Sequence, residues 1–234
     1  AEILPPSKKL VIGFRSRLAL NLHGGTRSAT LTALSLAPLR AGFGHFRQGW
    51  VYNVRIPRAQ QILGEERTVH TAEHVASAMF YLGVPRVEIP RACLFASRPE
   101  QGTYAVVHPL ASAPDKAWPA GRFAAVGRAL RASGLEPVFI GGPGEDLSPF
   151  AEFRVLAGAP LSQAKSLLAG ASLFVGNDSG PAHMAAAFGV PVVVLYGSSD
   201  PVIWAPWRTE NVVLAAPAGL STIGVDRMLA AVER

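Results

Sequence analysis

The chain has 234 residues, of which 49% are hydrophobic and 16% are charged, a composition that excludes a disordered chain and suits one or two globular domains. The formal net charge of +6 favours an anionic partner such as a nucleotide, a nucleic acid or a phosphorylated glycolipid. Because Lys and Arg form no clustered run, a generally basic surface is an equal alternative. The single cysteine, Cys93, excludes an internal disulfide and a thiolate metal cluster, and it is compatible with a cytosolic protein.

The N-terminal part carries two short apolar segments followed by a helical pattern. We predict strands at residues 9–14 and 18–22 and a helix at residues 27–36. The sequence HGGT at residues 23–26 separates the second strand from the helix, and a tight turn is enough to explain its glycines. Contact of this turn with a bound substrate is the alternative. The order of strand, turn and helix indicates an α/β fold.

Residues 47–61 are aromatic and irregular, and we predict a loop there. Residues 68–82 place apolar side chains on one stripe at helical spacing, which predicts a helix. Within it His70, Glu73 and His74 match the H-x-x-E-H pattern of some zinc proteases. Because the pattern is short and a third ligand is not evident, a polar helix face is preferred to a zinc site.

The second half of the chain alternates apolar runs with helix-forming segments, which is typical of strands and helices around a parallel sheet. The predicted strands cover residues 104–108, 137–140, 173–175, 192–196 and 211–214, and the predicted helices cover residues 120–133, 161–169, 182–188 and 225–232.

Two charged residues follow the first two of these strands. Lys116 lies in the loop after residues 104–108, where an ammonium at the carboxyl edge of a sheet can neutralise charge that grows on a leaving diphosphate. The alternative is an ordinary surface lysine. Glu145 lies in a glycine-rich turn after residues 137–140, and this turn is not a dinucleotide fingerprint because its third glycine is missing.

Residues 173–207 give the strongest signal in the chain. A buried strand ends at Gly176, and Asp178 or Ser179 then stands where a helix N-cap belongs. Pro181 falls in the first helical turn, where its missing N–H costs nothing. The segment therefore predicts a strand, a tight turn and a helix.

The start of this predicted helix is suited to an anion. Gly180 lets a ligand approach the backbone, and the free N–H groups of the first turn, with the positive end of the helix dipole, favour a phosphate. Asp178 and His183 lie at the same end. The alternative is that Asp178 or Ser179 is only a cap and that His183 is a polar residue satisfied on the helix. Residues 179–199 carry no formal charge, but glycine, proline and histidine interrupt them, so we reject a membrane span.

These motifs resemble glycosyltransferase family 9, the group that includes the ADP-heptose:lipopolysaccharide heptosyltransferases. The resemblance is carried by NDSGPAH at residues 177–183, by GVPVVVLYGSSDP at residues 189–201 and by the pair Trp204 and Trp207. The sequence K-x-W-P, which begins at Lys116, extends it. As a combination, these motifs are far more specific than a single glycine loop.

The resemblance implies a GT-B type α/β fold with two doubly wound Rossmann-like domains. We expect an acceptor-side domain at residues 1–100 and a nucleotide-sugar donor-binding domain at residues 101–234. Because residues 1–100 are too few for the whole N-terminal domain of the family, we expect that domain to be incomplete. The family's acidic general base would lie in a segment that this sequence lacks.

The resemblance also implies roles for individual residues. Lys116 and Asp178 are the expected catalytic residues, and Lys116 together with the helix N-terminus would stabilise the leaving diphosphate. Glu145 would accept hydrogen bonds from ribose hydroxyls, and helix N-terminal charge is the equal alternative. The expected substrate-binding residues are Ser112, Glu145, Ser179, Gly180, Pro181 and His183.

The implied reaction moves a sugar, a heptose, from an ADP-sugar to a hydroxyl of a lipopolysaccharide core or a similar anionic glycolipid, with inversion. Since the sequence has no D-x-D string, we expect no metal and no cofactor. A nucleic-acid partner is not expected. The implied location is cytoplasmic, and peripheral contact with the inner membrane is left open. The alternatives are a nucleotide-sugar epimerase or hydrolase and a noncatalytic nucleotide-sugar-binding module.

Overall fold

The computed structural model describes residues 16–96, 99, 102–111 and 113–233. The predicted strand at residues 9–14 and the predicted binding residue Ser112 lie outside the described residues. The chain divides into two compact units, Ala1–Ile89 and Pro90–Arg234. Each unit is built on its own parallel sheet.

The first unit contains a three-stranded parallel sheet in the order β1-β2-β3. Its strands are β1 (Leu18–Asn21), β2 (Leu39–Phe43) and β3 (Val54–Ile56), and its helices are α1 (Thr26–Leu34), α2 (Ala59–Leu63) and α3 (Thr71–Tyr81). Phe43 and Ile56 pair across β2 and β3 and are buried with Ile62 of α2 and Ala78 of α3. The predicted strand at residues 18–22 and the predicted helices at residues 27–36 and 68–82 are confirmed, with ends that differ by one to three residues.

The prediction of a loop at residues 47–61 is wrong. A 3-10 turn at Gly49–Val51, strand β3 and the start of α2 occupy most of this segment. Strand β3 is only three residues long with an exposed Arg55 at its centre, so its apolar alternation is too short to recognise in the sequence. Pairing with β2 and burial of Ile56 stabilise it.

The second unit contains a six-stranded parallel sheet in the order β6-β5-β4-β7-β8-β9. Its strands are β4 (Tyr104–His108), β5 (Glu136–Gly141), β6 (Arg154–Ala157), β7 (Leu173–Asn177), β8 (Val192–Tyr196) and β9 (Asn211–Ala215). Its helices are α4 (Ala120–Ala132), α5 (Leu161–Gly170), α6 (Gly180–Phe188), α7 (Pro201–Trp204) and α8 (Val225–Val232). All five predicted strands and all four predicted helices of this half are confirmed, and β6 is an additional edge strand.

Hydrophobic residues cover both faces of this sheet. Val107 of β4 packs with Phe123 of α4 in one cluster, whereas its neighbour Val106 packs with Phe174 in a second cluster. This alternation follows from the two-residue period of a strand. A sheet that is buried on both faces needs the near-continuous apolar runs that made these strands visible in the sequence.

The strand order has a switch point between β4 and β7. From β4 the chain continues to β5 and β6 on one side, and it then crosses back to β7, β8 and β9 on the other side. His108, the last residue of β4, pairs in register with Gly176 near the end of β7. The loops that follow these two strands therefore begin side by side at the carboxyl edge, which is where open parallel sheets bind ligands.

None of the helices in the described ranges is both long and apolar enough to cross a membrane. The uncharged residues 179–199 are divided between helix α6 and strand β8.

Candidate functional site

Helix α6 begins at the carboxyl end of β7 without a side-chain cap. Ser179 occupies the N-cap position in an extended conformation (φ −160°, ψ 163°), as predicted, but its hydroxyl makes no capping hydrogen bond. Its Oγ atom is buried and has no partner among the described residues. The alternative that Ser179 serves only as a side-chain cap is therefore not what the structure shows.

The first amides of α6 are open. The Ala182 amide donates to the Ser179 carbonyl, and Pro181 has no N–H to offer. In the described ranges, no hydrogen bond is recorded for the backbone amides of Ser179 and Gly180. Gly180 is exposed, and a Cβ atom added there would meet nothing within 4 Å. A ligand could thus approach the backbone at Gly180 without displacing protein atoms.

Lys116, Asp178 and His183, which the sequence separates, come together beside this helix start. The Lys116 ammonium lies 3.7 Å from one Asp178 carboxylate oxygen, and His183 Nε2 lies 3.9 Å from the other. The Asp178 side chain is only 12% exposed, and the Asp178 amide is held by the Leu195 carbonyl of β8. A largely buried carboxylate thus lies between the lysine ammonium and the histidine at the edge of the open amides.

Hydrogen bonds and core packing hold the loop that carries Lys116. Lys116 ends a 3-10 turn at Pro114–Lys116, and the Ser198 hydroxyl donates to the Asp115 carboxylate. The indole of Trp118 is 2% exposed, donates to the Ile223 carbonyl at 2.9 Å and packs edge-on against Phe123. The position of the Lys116 backbone therefore depends on packing in the second unit's core.

Asn177 is a site residue that the sequence analysis did not single out. It is the last residue of β7 and is fully buried. Its side chain hydrogen-bonds to Pro109, to Leu110 and to Trp118, which lie in the Lys116 loop. The only signal in the sequence was its place at the start of the NDSGPAH string, because its partners are 59 to 68 residues away.

Glu145 lies in the turn that follows β5. Its carboxylate accepts a hydrogen bond from the Gly142 amide, and the Glu145 amide donates back to the Gly142 carbonyl at 3.3 Å. No α-helix begins directly after it in the described chain, where the next helical turn is a 3-10 turn at Ser148–Phe150. The side chain is exposed, so it keeps room for a second hydrogen bond.

Two buried titratable groups border the site. Burial, reinforced by the Asp178 charge, raises the pKa of the Tyr196 hydroxyl, which donates to the Trp204 carbonyl at 2.6 Å. Burial lowers the pKa of His108, whose imidazole is 7% exposed and whose Nδ1 atom has no partner among the described residues. His108 is therefore neutral at pH 7, whereas Lys116 brings a positive charge to the site.

In the first unit, the H-x-x-E-H pattern forms the start of α3. The His70 Nδ1 atom accepts a hydrogen bond from the Ala72 amide, and Glu73 accepts one from the His70 amide and pairs with Arg67. His74 stacks on Phe43 with ring centroids 3.9 Å apart. The described ranges contain no group of three or more His, Cys, Asp or Glu residues that could hold a metal ion. A helix cap and an aromatic contact therefore account for this pattern.

Similar solved structures define the class of fold. Heptosyltransferase WaaC of E. coli, solved with ADP, has a TM-score of 0.76 at 21% sequence identity, over 97% of this chain and 75% of that chain. The same enzyme solved with ADP-2-deoxy-2-fluoro heptose has a TM-score of 0.73 at 21% identity, over 97% of this chain and 74% of that chain. The predicted GT-B type α/β fold is thereby confirmed.

The chain belongs to glycosyltransferase family 9. The sequence model of glycosyltransferase family 9 (heptosyltransferase) matches residues 13–222, and the predicted family is confirmed. Lipopolysaccharide heptosyltransferase 3 of Escherichia coli is 36% identical over 120 residues, which are 47% of this chain and 35% of that protein. The chain thus matches about a third of the length of this curated relative.

Proposed function

We propose that this chain takes part in an inverting, metal-independent glycosyl transfer, in which a heptose moves from an ADP-sugar to a hydroxyl of a lipopolysaccharide core. The observation that carries the proposal is the Lys116–Asp178 pair, which lies beside the two open amides of α6. Two amides at a helix start and one ammonium match the negative charge of a diphosphate. Family membership supports a sugar nucleotide as the source of that diphosphate.

In the proposed reaction, the bond from the sugar C1 atom to the diphosphate breaks, and a bond from C1 to the acceptor oxygen forms on the opposite face. The acceptor hydroxyl loses its proton, and negative charge grows on the leaving ADP. We assign the stabilisation of that charge to Lys116 and to the amides of Ser179 and Gly180. Asp178 holds the Lys116 ammonium, and His183, on the other side of the same carboxylate, supports the phosphates or Asp178.

The remaining predicted contacts complete the donor site. Glu145 is assigned to the ribose hydroxyls, because its exposed carboxylate is already oriented by the Gly142 amide. Ser112 is assigned to the nucleotide as part of the Lys116 loop. Pro181 belongs to the site through its place in the first turn of α6, where it leaves no competing N–H.

We assign donor binding to residues 101–234 and acceptor binding to residues 1–100. The net charge of +6 supports an anionic glycolipid as the acceptor. We propose a cytoplasmic location with peripheral contact at the inner membrane, where such an acceptor would be available. Heptosyltransferase WaaC of E. coli, solved with ADP and with ADP-2-deoxy-2-fluoro heptose, supports an ADP-sugar as the donor.

The proposal is tested by calorimetric titration with ADP-heptose and with other nucleotide sugars, followed by a product assay with and without a lipopolysaccharide core acceptor. We expect ADP-heptose to bind and ADP to be released only when the acceptor is present, with no loss of rate in EDTA. Turnover without acceptor would indicate an epimerase or hydrolase instead. Binding without any product would indicate a noncatalytic binding module.

A further inference from the structure

We infer that Asn177 is a positioning residue that holds the Lys116 loop in the place where its ammonium can meet a diphosphate. The inference rests on the proposed function, in which Lys116 contacts that diphosphate. It adds a residue whose side chain touches neither the ligand nor Lys116 itself. Its action on the site passes through the backbone of the loop.

One side chain ties together the two ends of the loop. The Asn177 Nδ2 group donates to the Pro109 carbonyl at 2.7 Å and to the Leu110 carbonyl at 3.5 Å, at the start of the loop. The Asn177 Oδ1 atom accepts the Trp118 amide at 3.2 Å, at the end of the loop. A single buried amide therefore bridges Pro109 and Leu110 at one end of the loop and Trp118 at the other.

The chemistry of these three bonds requires an amide. A carboxamide carries donors and an acceptor in one planar group, so it can serve carbonyls on one side and an N–H on the other. Aspartate of the same size would keep the acceptor but would lose both donors and place a charge against two carbonyls. Alanine would leave the Pro109 carbonyl and the Trp118 amide of this buried site without their partner.

The position of Asn177 in the chain links the loop to the helix start. Asp178, the next residue, holds the Lys116 ammonium at 3.7 Å, and the open amides of Ser179 and Gly180 follow directly. Asn177 thus fixes the loop to the same short segment that presents the other parts of the site. Because a lysine has a long and flexible side chain, its ammonium is well placed only if its backbone is held.

The other side-chain hydrogen bonds that hold this loop involve its later residues. The Trp118 indole bonds to Ile223, and Asp115 accepts the hydrogen bond from Ser198. Neither of these bonds reaches Pro109 or Leu110, where the loop leaves β4. Without Asn177 the end of the loop would keep these hydrogen bonds, whereas its start would keep only the packing of Pro109 and Leu110 against the core. The expected result is a misplaced Lys116 in a chain that still folds.

The test is a double-mutant cycle on the whole chain, with ADP as the titrated ligand and the melting temperature as a second readout. Lys116→Ala should weaken ADP binding about tenfold, and Asn177→Ala should weaken it by a similar factor. If Asn177 acts through Lys116, the double variant should bind ADP within about threefold of Lys116→Ala alone. The melting temperature should fall by the same amount when Asn177→Ala is introduced into either background.

Asn211→Ala is the matched control, because the Asn211 side-chain amide also donates to two backbone carbonyls. Asn211 lies at the start of β9, at the amino-terminal edge of the sheet, whereas the candidate site lies at the carboxyl edge. This control variant should leave ADP affinity unchanged. Should Asn177→Ala not fold, Asn177→Ser, which adds no charge and is too short to bridge both ends of the loop, takes its place in the cycle.

Two outcomes separate the inference from the function on which it rests. If Lys116→Ala alone leaves both ADP binding and sugar transfer unchanged, the proposed role of Lys116 is wrong. If Lys116→Ala weakens binding but the Asn177 variants do not, or if the two losses multiply to about a hundredfold, Asn177 does not act through Lys116.

Discussion

The Asp178 carboxylate lies 3.7 Å from the Lys116 ammonium, although 62 residues separate them in the chain. The pair forms because β4 and β7 are neighbours in the sheet and their loops begin at the same edge. A carboxylate at this distance attracts the Lys116 ammonium and keeps it close to the start of α6 until an anionic ligand competes for it.

Lys116→Ala is expected to reduce sugar transfer about a hundredfold, because the ammonium stabilises charge that develops on the leaving diphosphate. Steady-state rates with ADP-heptose and a lipopolysaccharide core acceptor measure the effect. Lys165→Ala, which removes a lysine of α5, is the control and should retain the original rate. A Lys116→Ala variant as fast as the original chain would remove Lys116 from the mechanism.

Asp178→Asn is expected to separate binding from turnover. The substitution keeps the size of the side chain but removes a negative charge that repels a diphosphate, so ADP affinity should rise severalfold. Transfer should fall about tenfold, because the Lys116 ammonium loses the group that orients it. Calorimetry with ADP and steady-state kinetics measure the two effects. A loss of affinity together with an unchanged rate would contradict this account of Asp178.

Gly180→Ala is expected to impair binding without harming the fold. The added Cβ atom meets no protein atom within 4 Å, so the free energy of unfolding should change by less than about 0.5 kcal/mol. The same methyl group would stand where the ligand approaches the open amides, and ADP affinity should fall about tenfold.

Gly176→Ala is the control for this prediction, because it should lose stability where Gly180→Ala should not. Its Cβ atom would lie 2.7 Å from the His108 carbonyl oxygen, so this variant should be strongly destabilised. Urea denaturation and ADP titration of the two variants measure the contrast. A Gly180→Ala chain that binds ADP normally would show that the ligand does not approach these amides.

The first unit is expected to lose stability in mild acid. Burial lowers the pKa of His45, with a further contribution from the Arg58 charge, and burial also lowers the pKa of His74, next to His45. The unfolded chain therefore binds more protons than the folded chain below about pH 6.5. Stability is fully present above this pH and is lost as the pH falls towards the pKa values of the folded state.

His74→Phe tests the source of this pH dependence. Phenylalanine preserves stacking on Phe43 but cannot be protonated, so the fall in the free energy of unfolding between pH 7.5 and pH 5.5 should become smaller. Urea denaturation at the two pH values measures the slope. Thr30→Ala, which replaces an exposed residue of the first unit that carries no titratable group, is the control and should leave the slope unchanged. An equal slope in His74→Phe would mean that other groups titrate.

The strands of the second unit could be predicted because each one is marked by its own run of apolar residues. A strand buried on both faces must be apolar throughout, so runs such as Val192–Tyr196 are visible without any knowledge of their neighbours. Strand β3 could not be predicted, because three residues around Arg55 become a strand only by pairing with β2. Its stability belongs to the tertiary structure and leaves no pattern in the sequence.

The candidate site also contains residues that the sequence could predict and residues that it could not. The glycine, proline and histidine of the NDSGPAH string mark a helix start, so Gly180, Pro181 and His183 could be named from the sequence. The hydrogen bonds of Asn177 could not, because they depend on which loops the strand order brings to β7. The H-x-x-E-H pattern shows the reverse case, in which a motif of catalytic appearance is explained by a helix cap.

The most direct test of the central claim is a crystal structure of this chain with ADP bound. The account predicts diphosphate oxygens within hydrogen-bonding distance of the Ser179 and Gly180 amides, with the Lys116 ammonium turned from Asp178 towards a phosphate. A diphosphate bound away from the start of α6, with the Lys116–Asp178 pair unchanged, would contradict it.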